Sequence, residues 1–243
     1  MKNDRSLSVV IPAYNEEKNI VSTVNEVTGY LSRSSYDYEV LILDDGSADS
    51  TFSLANDLAS KNGHIRVLKN EKNMGKGYTI KKGMLEASGD HILFMDADNS
   101  TSIVEVEKLL PYIKEYDIII ASRRIKGADL DVPPPVLRIV LGNFYVWLSQ
   151  FFIKSKINDY NCGFKMFSKA AALKIFPKQL MNDWSYDTED IFLAEKFKLR
   201  IKEVPVRWVY KSTSKVKPIR DGIKSFISLV RIKMNDIKGR YGD

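Results

Sequence analysis

Residues 91–102 read HILFMDADNSTS, and the chemistry starts there. Five residues suited to a buried strand run straight into Asp96 and Asp98, separated only by Ala97. Carboxylates this close raise each other's cost of ionising, so a cation is expected beside them. If the chain stays extended, alternate side chains share a face and both acids aim at one point. Such a pair can hold a hard divalent ion, Mg²⁺ or Mn²⁺, with phosphate oxygens completing the shell. Taken alone, an Asp-Ala-Asp is as well explained by a turn or a helix cap.

A second acidic pair, Asp44 and Asp45, closes the run VLIL and is followed by Gly46, which permits a tight turn. Capping explains Ser47, Asp49 or Ser50 at a helix start but not two adjacent acids at a strand end. Hydrogen bonding to the base and ribose of a nucleoside suits them better. In the segment PAYNEE, Tyr14 offers a stacking surface and Glu16 a ribose acceptor, and Asn15 is expected to cap the first helix. The two histidines, His64 and His91, have no ligand-spaced neighbours and read as strand-edge residues. The single cysteine, Cys162, excludes an intramolecular disulfide and a thiolate zinc cluster, and fits a reducing compartment.

The elements that must position these groups alternate. Residues 7–11, 38–43, 65–69, 91–95 and 117–121 are near-continuous apolar runs, as strands buried on both faces are. Between them, helical patterns cover about 16–31, 50–61, 76–87 and 103–113. This alternation predicts an α/β fold on a doubly wound, mostly parallel sheet, and such sheets bind ligands beyond the carboxyl ends of their strands. PAYNEE, DDGSADST, NEKNMGKG, DADNS and SRR all fall on that rim.

Past Ser122 the pattern changes. Three prolines from Pro133 enforce a loop. An aromatic helix is expected from about Val136 to Ile153, a strand in IKEVPVRWV, and a helix from Pro218 to about Lys238 with apolar residues at spacings of three and four. The longest apolar stretch, Ile139 to Ile153, falls short of the roughly 20 residues that span a bilayer. The N-terminus lacks the apolar core of a signal peptide. The net charge of +6 sits in the tail, since residues 191–243 hold 14 Lys+Arg against 5 Asp+Glu. A basic tail suits nucleic acid, anionic lipid or a phosphorylated substrate, or is a solvated face. The acidic rim argues against nucleic acid.

The segments VVIPAYNEEKNI, VLILDDGSADST, NMGKGYTIKKGM, FMDADNST, ASRR, NDYNCGFKMF, WSYDTED and EVPVRWVYKSTSK, in this order, resemble the family 2 inverting glycosyltransferases of the GT-A (Rossmann-like) fold. Within that family they are most similar to the enzymes that make dolichyl (polyprenyl) phosphate sugars. DADNST and DYNCGFKMF resemble the glucosyl rather than the mannosyl members, which more often carry glutamine where Ser100 stands. The resemblance implies transfer of a hexose from a nucleotide-diphosphate sugar, with UDP-glucose favoured over GDP-mannose, to a polyprenyl phosphate. A family member acting on a soluble or cell-surface glycan is the alternative.

Carried over by motif, Pro12, Tyr14, Glu16, Asp44, Asp45, Lys76, Asp96, Arg123 and Lys215 would hold the nucleotide sugar. Asp96 and Asp98 would hold the Mg²⁺ or Mn²⁺. Arg138 and Ser214 would meet the acceptor phosphate. Asp98, Arg123, Asp187 and Glu189 would be the catalytic group, with Asp187, Glu189 and Asp190 also readable as ordinary acids of a helix N-terminus. Lys211, Lys215 and Lys217 lie in a loop able to close over the donor. Gly142 departs from the serine often found near that helix. Residues 1–217 are expected to form the transferase domain, with a nucleotide-sugar half (1–123) and an acceptor half (124–217), and 218–243 a basic amphipathic helix. A lipid acceptor implies a cytoplasmic enzyme peripheral to the inner face of a membrane, resting on the aromatic helix and the basic tail; core packing is the other use of both stripes.

Overall fold

The computed structural model describes residues 6–132, 135–210 and 218–242, apart from the side chains of 137, 138 and 218–224. The chain opens with β1 (Ser6–Ala13), α1 (Ile20–Leu31), β2 (Asp37–Asp44), α2 (Thr51–Lys61), β3 (Ile65–Lys69), α3 (Lys76–Glu86) and β4 (His91–Met95). Then follow α4 (Val106–Leu109), β5 (Ile118–Ser122), β6 (Asp129–Leu130), α5 (Val136–Ile153), β7 (Phe164–Ser168), α6 (Lys169–Ile175), α7 (Tyr186–Lys196), β8 (Ile201–Pro205), β9 (Arg207–Trp208) and α8 (Pro218–Ile237). Among the described residues no helix is long and apolar enough to cross a membrane.

Seven strands form one sheet in the order β3-β2-β1-β4-β7-β5-β8, and β6 pairs with β9 apart from it. Every pairing in the sheet is parallel except those of β7, which runs antiparallel to both β4 and β5. The carboxyl ends of β1, β2, β4 and β5 therefore share one rim, and the chain entering β7 joins them there. Alternate residues of each strand feed opposite cores. Val9 and Ile11 pack with α1, α2 and α4 on one face, whereas Val10 packs with α3 and α5 to α8 on the other.

The five strands and the aromatic helix fall where the sequence places them, with two shifts. The segment 103–113 is a short α4 flanked by 3-10 turns, because Pro111 cannot supply the amide a longer helix needs. The first helix starts at Ile20, four residues late, and Asn15 does not cap it. Asn15 adopts a left-handed φ of 55° and its Oδ1 accepts from Ala48 N at 2.9 Å, tying the loop after β1 to the loop after β2.

Helix α7 is buried over nine consecutive residues, Tyr186 to Ala194, three of them acidic. Asp190 is the sharpest case, with Oδ1 buried and unpartnered among the described residues. Burial, then the charge of Glu189, pushes its carboxyl well above the ordinary range. The folded chain thus binds this proton more tightly than the unfolded one, and the stability it contributes is present below the unfolded pKa and lost as pH rises through the folded pKa. Asp190→Asn is expected to raise the melting temperature at pH 8, by roughly 2–4 °C for each kcal/mol recovered in a chain this size. Thermal denaturation at pH 5 and pH 8 checks this: the gain should be smaller at pH 5, and equal gains would refute it.

Candidate active site

Asp96 and Asp98 sit just beyond β4, but not on extended chain. Asn99 N donates to Asp96 O at 3.3 Å and Asn99 has a φ of 55°, so the acids occupy a turn, correcting the expected strand geometry. Both remain partly exposed on the rim. Asp98 Oδ1 accepts from Ser100 N at 2.9 Å. Asp96 Oδ1 accepts from Lys76 Nζ at 2.6 Å, so the cation expected beside the pair is in part the protein's own. Gly163 backs Asp96: its carbonyl accepts from Asp96 N at 3.0 Å, and a Cβ at 163 would overlap the Asp96 carboxylate.

The described residues contain no cluster of three or more His, Cys, Asp or Glu able to hold a metal ion. The protein offers two carboxylates, the donor set of a Mg²⁺- or Mn²⁺-type ion that takes its other ligands from water and phosphate. An ammonium already seated on Asp96 shows that the position accepts a cation. The residues present therefore fit a divalent ion shared with a ligand.

At the end of β2 the two acids part. Asp45 turns inward, where Oδ1 accepts from Asn70 Nδ2 at 2.9 Å and Met74 N at 2.8 Å, and Oδ2 from Gly75 N at 3.0 Å. It holds the turn entering α3. Asp44 Oδ2 accepts from Ser47 N at 3.1 Å, while its buried Oδ1 has no partner among the described residues. That orphaned acceptor is a ready partner for a ligand N–H or O–H. Pro12 is buried in β1, and Tyr14 is exposed at the mouth of the same rim. Glu16 Oε2 accepts from Asn19 Nδ2 at 2.7 Å.

Arg123 follows β5, and its Nε and Nη2 each donate to Asp159 at 2.7 Å. This bidentate pair fixes the guanidinium, which also lies over the Trp208 ring at 5.3 Å, and leaves the Nη1 edge as the one Asp159 does not use. Burial alone would raise Asp159, but Arg123 beside it holds the carboxyl below the usual range. The neighbouring Arg124 donates to Asn143 Oδ1 at 2.6 Å, and a Cβ at Gly142 would overlap its guanidinium.

The acids of α7 divide as well. Asp187 pairs with Lys165 of β7, whose Nζ also donates to Tyr160 O at 2.7 Å. Burial pushes the Asp187 carboxyl up, against the pull of Lys165 and then Lys76. Glu189 is fully buried, with Oε2 accepting from Leu180 N at 3.0 Å and Met181 N at 2.8 Å, and Oε1 from Tyr241 Oη at 2.6 Å. Both of its oxygens are thus engaged within the protein. Ser214, Lys215, Lys211 and Lys217 lie outside the described residues; Arg138 stands in the first turn of α5 with its side chain outside them.

The sequence reading singled out neither Gly163 nor Lys165, Asp159 or Trp184. Lys165 carried a signal, because a lone lysine inside the apolar run FKMF requires a buried partner. Trp184 is 69% exposed and its ring lies 4.7 Å from Lys76 Nζ, placing an open aromatic face on the rim.

An open, mostly parallel sheet whose rim gathers two acids, a lysine, a fixed arginine and exposed aromatics is the frame of a glycosyltransferase. The model of the family described as "Glycosyl transferase family 2" matches residues 8–176, and the chain belongs to that family. It is 34% identical to the dolichyl-phosphate β-glucosyltransferase of Dictyostelium discoideum, over 96% of this chain and 75% of that one. The human and Saccharomyces cerevisiae proteins of the same name are each 32% identical over 98% of this chain, covering 78% and 77% of theirs. Among solved structures, mannosyl-3-phosphoglycerate synthase from Rubrobacter xylanophilus shares the fold at a TM-score of 0.71 and 17% identity, covering 98% of this chain and 76% of that one. Glucosyl-3-phosphoglycerate synthase from Mycobacterium tuberculosis, solved with Mn²⁺, UDP-glucose and phosphoglyceric acid, follows at 0.66 and 19%, covering 94% and 79%.

Gly163→Ala is expected to displace the Asp96 carboxylate and lower transfer by about 100-fold, the scale on which a 1 Å misplacement acts. Circular dichroism should show the fold retained; a variant as active as the parent would mean that Asp96 is not held from behind.

Proposed function

We propose that the chain is an inverting transferase moving a hexose from a nucleotide-diphosphate sugar, with UDP-glucose the favoured donor, to dolichyl or another polyprenyl phosphate. The observation that carries this reading is the meeting of two unlike surfaces. The polar rim ends at Arg123 and Arg124, and Arg124 is bonded to α5 through Asn143. On α5, Val136, Val140, Phe144, Trp147 and Phe151 recur at helical spacing and are 58–75% exposed, a contiguous apolar face. A phosphate on a hydrocarbon chain matches both surfaces at once, and the names of the relatives support it.

In the reaction an acceptor phosphate oxygen attacks the anomeric carbon from the side opposite the diphosphate. One C–O bond forms, one breaks, and the nucleoside diphosphate departs with the electron pair. A divalent ion held by Asp96 and Asp98 supplies charge neutralisation to that leaving group when bound. Lys76 and the Nη1 edge of Arg123 offer positive charge to its oxygens. Asp44 Oδ1 would accept from the nucleoside, and Tyr14 would stack on it. Because a phosphate monoester is already anionic near neutral pH, no strong base is required, and alignment is the larger task. Asp187, locked by Lys165, serves to orient the sugar. Arg138, Ser214 and Lys215 would receive the acceptor phosphate and close on the donor.

The exposed face of α5, with Phe226 of α8 packed against Phe152, is the surface that would rest on the bilayer. The enzyme would then work at the cytoplasmic face of a membrane.

Transfer of labelled sugar to dolichyl phosphate in detergent, offered UDP-glucose and GDP-mannose with Mn²⁺ or EDTA, checks the reading. Glucosyl lipid formed from UDP-glucose, blocked by EDTA and reduced at least 100-fold in Asp98→Ala, is expected. Transfer to soluble saccharides but to no lipid phosphate would select the glycan reading instead. In a separate sedimentation measurement, the parent should pellet with anionic liposomes at low salt, and a Phe144→Ser, Trp147→Ser, Phe151→Ser variant should stay in solution. Equal sedimentation would remove α5 from the membrane contact.

A further inference from the structure

Lys76 is the first residue of α3, where the helix presents its positive end and a cation is disfavoured. Its Nζ is nevertheless held in place from several sides. It donates to Asp96 Oδ1 at 2.6 Å, lies 4.7 Å from the Trp184 ring and 5.5 Å from the Phe94 ring, and its side chain is only 19% exposed. Burial would by itself lower the Lys76 pKa, but Asp96, Asp187 and Asp98 together raise it, so the ammonium stays charged. The backbone leaves little choice of position. Gly75 N is bound to Asp45 and Gly77 N donates to Asn182 O at 2.8 Å, so both neighbours of Lys76 are pinned.

The oxygen that Lys76 occupies belongs to one of the two carboxylates available to a divalent ion. An ammonium and a metal ion on one carboxylate repel each other, so each weakens the other's hold. We propose that Lys76 is a resident counterion of the Asp96–Asp98 site, which a metal ion displaces and a ligand diphosphate then receives. This deepens the reading of Asp96 and Asp98 as metal ligands and rests on it.

The consequence is a coupling between metal and nucleotide. Metal arriving alone must evict the ammonium from Asp96 without bringing it a new anionic partner. Metal arriving with a diphosphate gives the ammonium new anionic partners within reach of its four-carbon stem. The free protein therefore binds the metal weakly, and metal and nucleotide each tighten the other by the same factor. The device keeps the acids neutralised between turnovers and favours metal only as part of a metal–nucleotide complex.

The test is the equilibrium binding of Mn²⁺, followed by the loss of the free-ion electron paramagnetic resonance signal, with and without UDP. Lys76→Met is expected to bind Mn²⁺ alone about tenfold more tightly than the parent, and the tightening of Mn²⁺ by UDP should shrink at least fivefold. Lys76→Gln should behave as Lys76→Met does, and Lys76→Arg, which keeps the charge, should stay near the parent. If both neutral variants bind Mn²⁺ alone no more tightly than the parent while Asp96→Asn loses Mn²⁺, the counterion role is overturned and the metal site stands. If Asp96→Asn and Asp98→Asn bind Mn²⁺ with UDP as tightly as the parent does, the metal site itself is wrong and the proposal falls with it.

Discussion

Asp96 rests on Gly163 from behind and accepts from Lys76 in front, and much of the molecule serves to keep that contact where it is. A residue at a helix start goes where the turn before the helix puts it. Asp45 holds that turn by the amides of Met74 and Gly75. From the other side, Asn182 O takes the amide of Gly77, and the backbone of Asn182 at Gly75 and of Met181 at Gly77 comes so close that neither position has room for a Cβ. The loop carrying Asn182 is itself held by Glu189, through Leu180 and Met181, and Glu189 is held by Tyr241 near the C-terminus. A chain of buried and half-buried hydrogen bonds thus runs from Tyr241 to Asp96.

Buried charge in this protein is handled by pairing across elements. Lys165 of the inserted antiparallel strand meets Asp187 of α7, and Arg123 after β5 meets Asp159 in the approach to β7. Ion pairs of this kind add little net stability, but removing one partner strands a buried charge at a cost of about 3–5 kcal/mol. Their effect is geometric. One pair fixes α7 against β7, and the other fixes the loop after β5 against the chain entering β7.

The rim was legible because strand-end chemistry is local: DDGS, DADNS and SRR announce themselves beside apolar runs whose period identifies the strands. The role of each acid was not. Asp44 and Asp45 are indistinguishable in sequence, yet one closes a turn and the other keeps an unmatched oxygen, because neighbouring side chains leave a strand on opposite sides. Glu189 sits in an acidic run with the composition of a helix N-terminus, and only the packing of residues 180–181 and 241 against it reveals a structural pin. Strand β7 was hidden as well, since its five residues carry a lysine and lead directly into α6.

Sequence alone determined the alternating elements, the parallel sheet they imply, the line of loops that forms the rim and the likeness to family 2 glycosyltransferases. Those follow from apolar periodicity and short motifs, which act over a few residues. Tertiary structure decided that β7 enters the sheet antiparallel between β4 and β5, that Gly163 must lack a side chain, and that Lys76 reaches Asp96 across 20 residues of chain. Each of these depends on groups distant in sequence occupying one volume, and excluded volume and buried-charge pairing are settled only when the whole chain is packed.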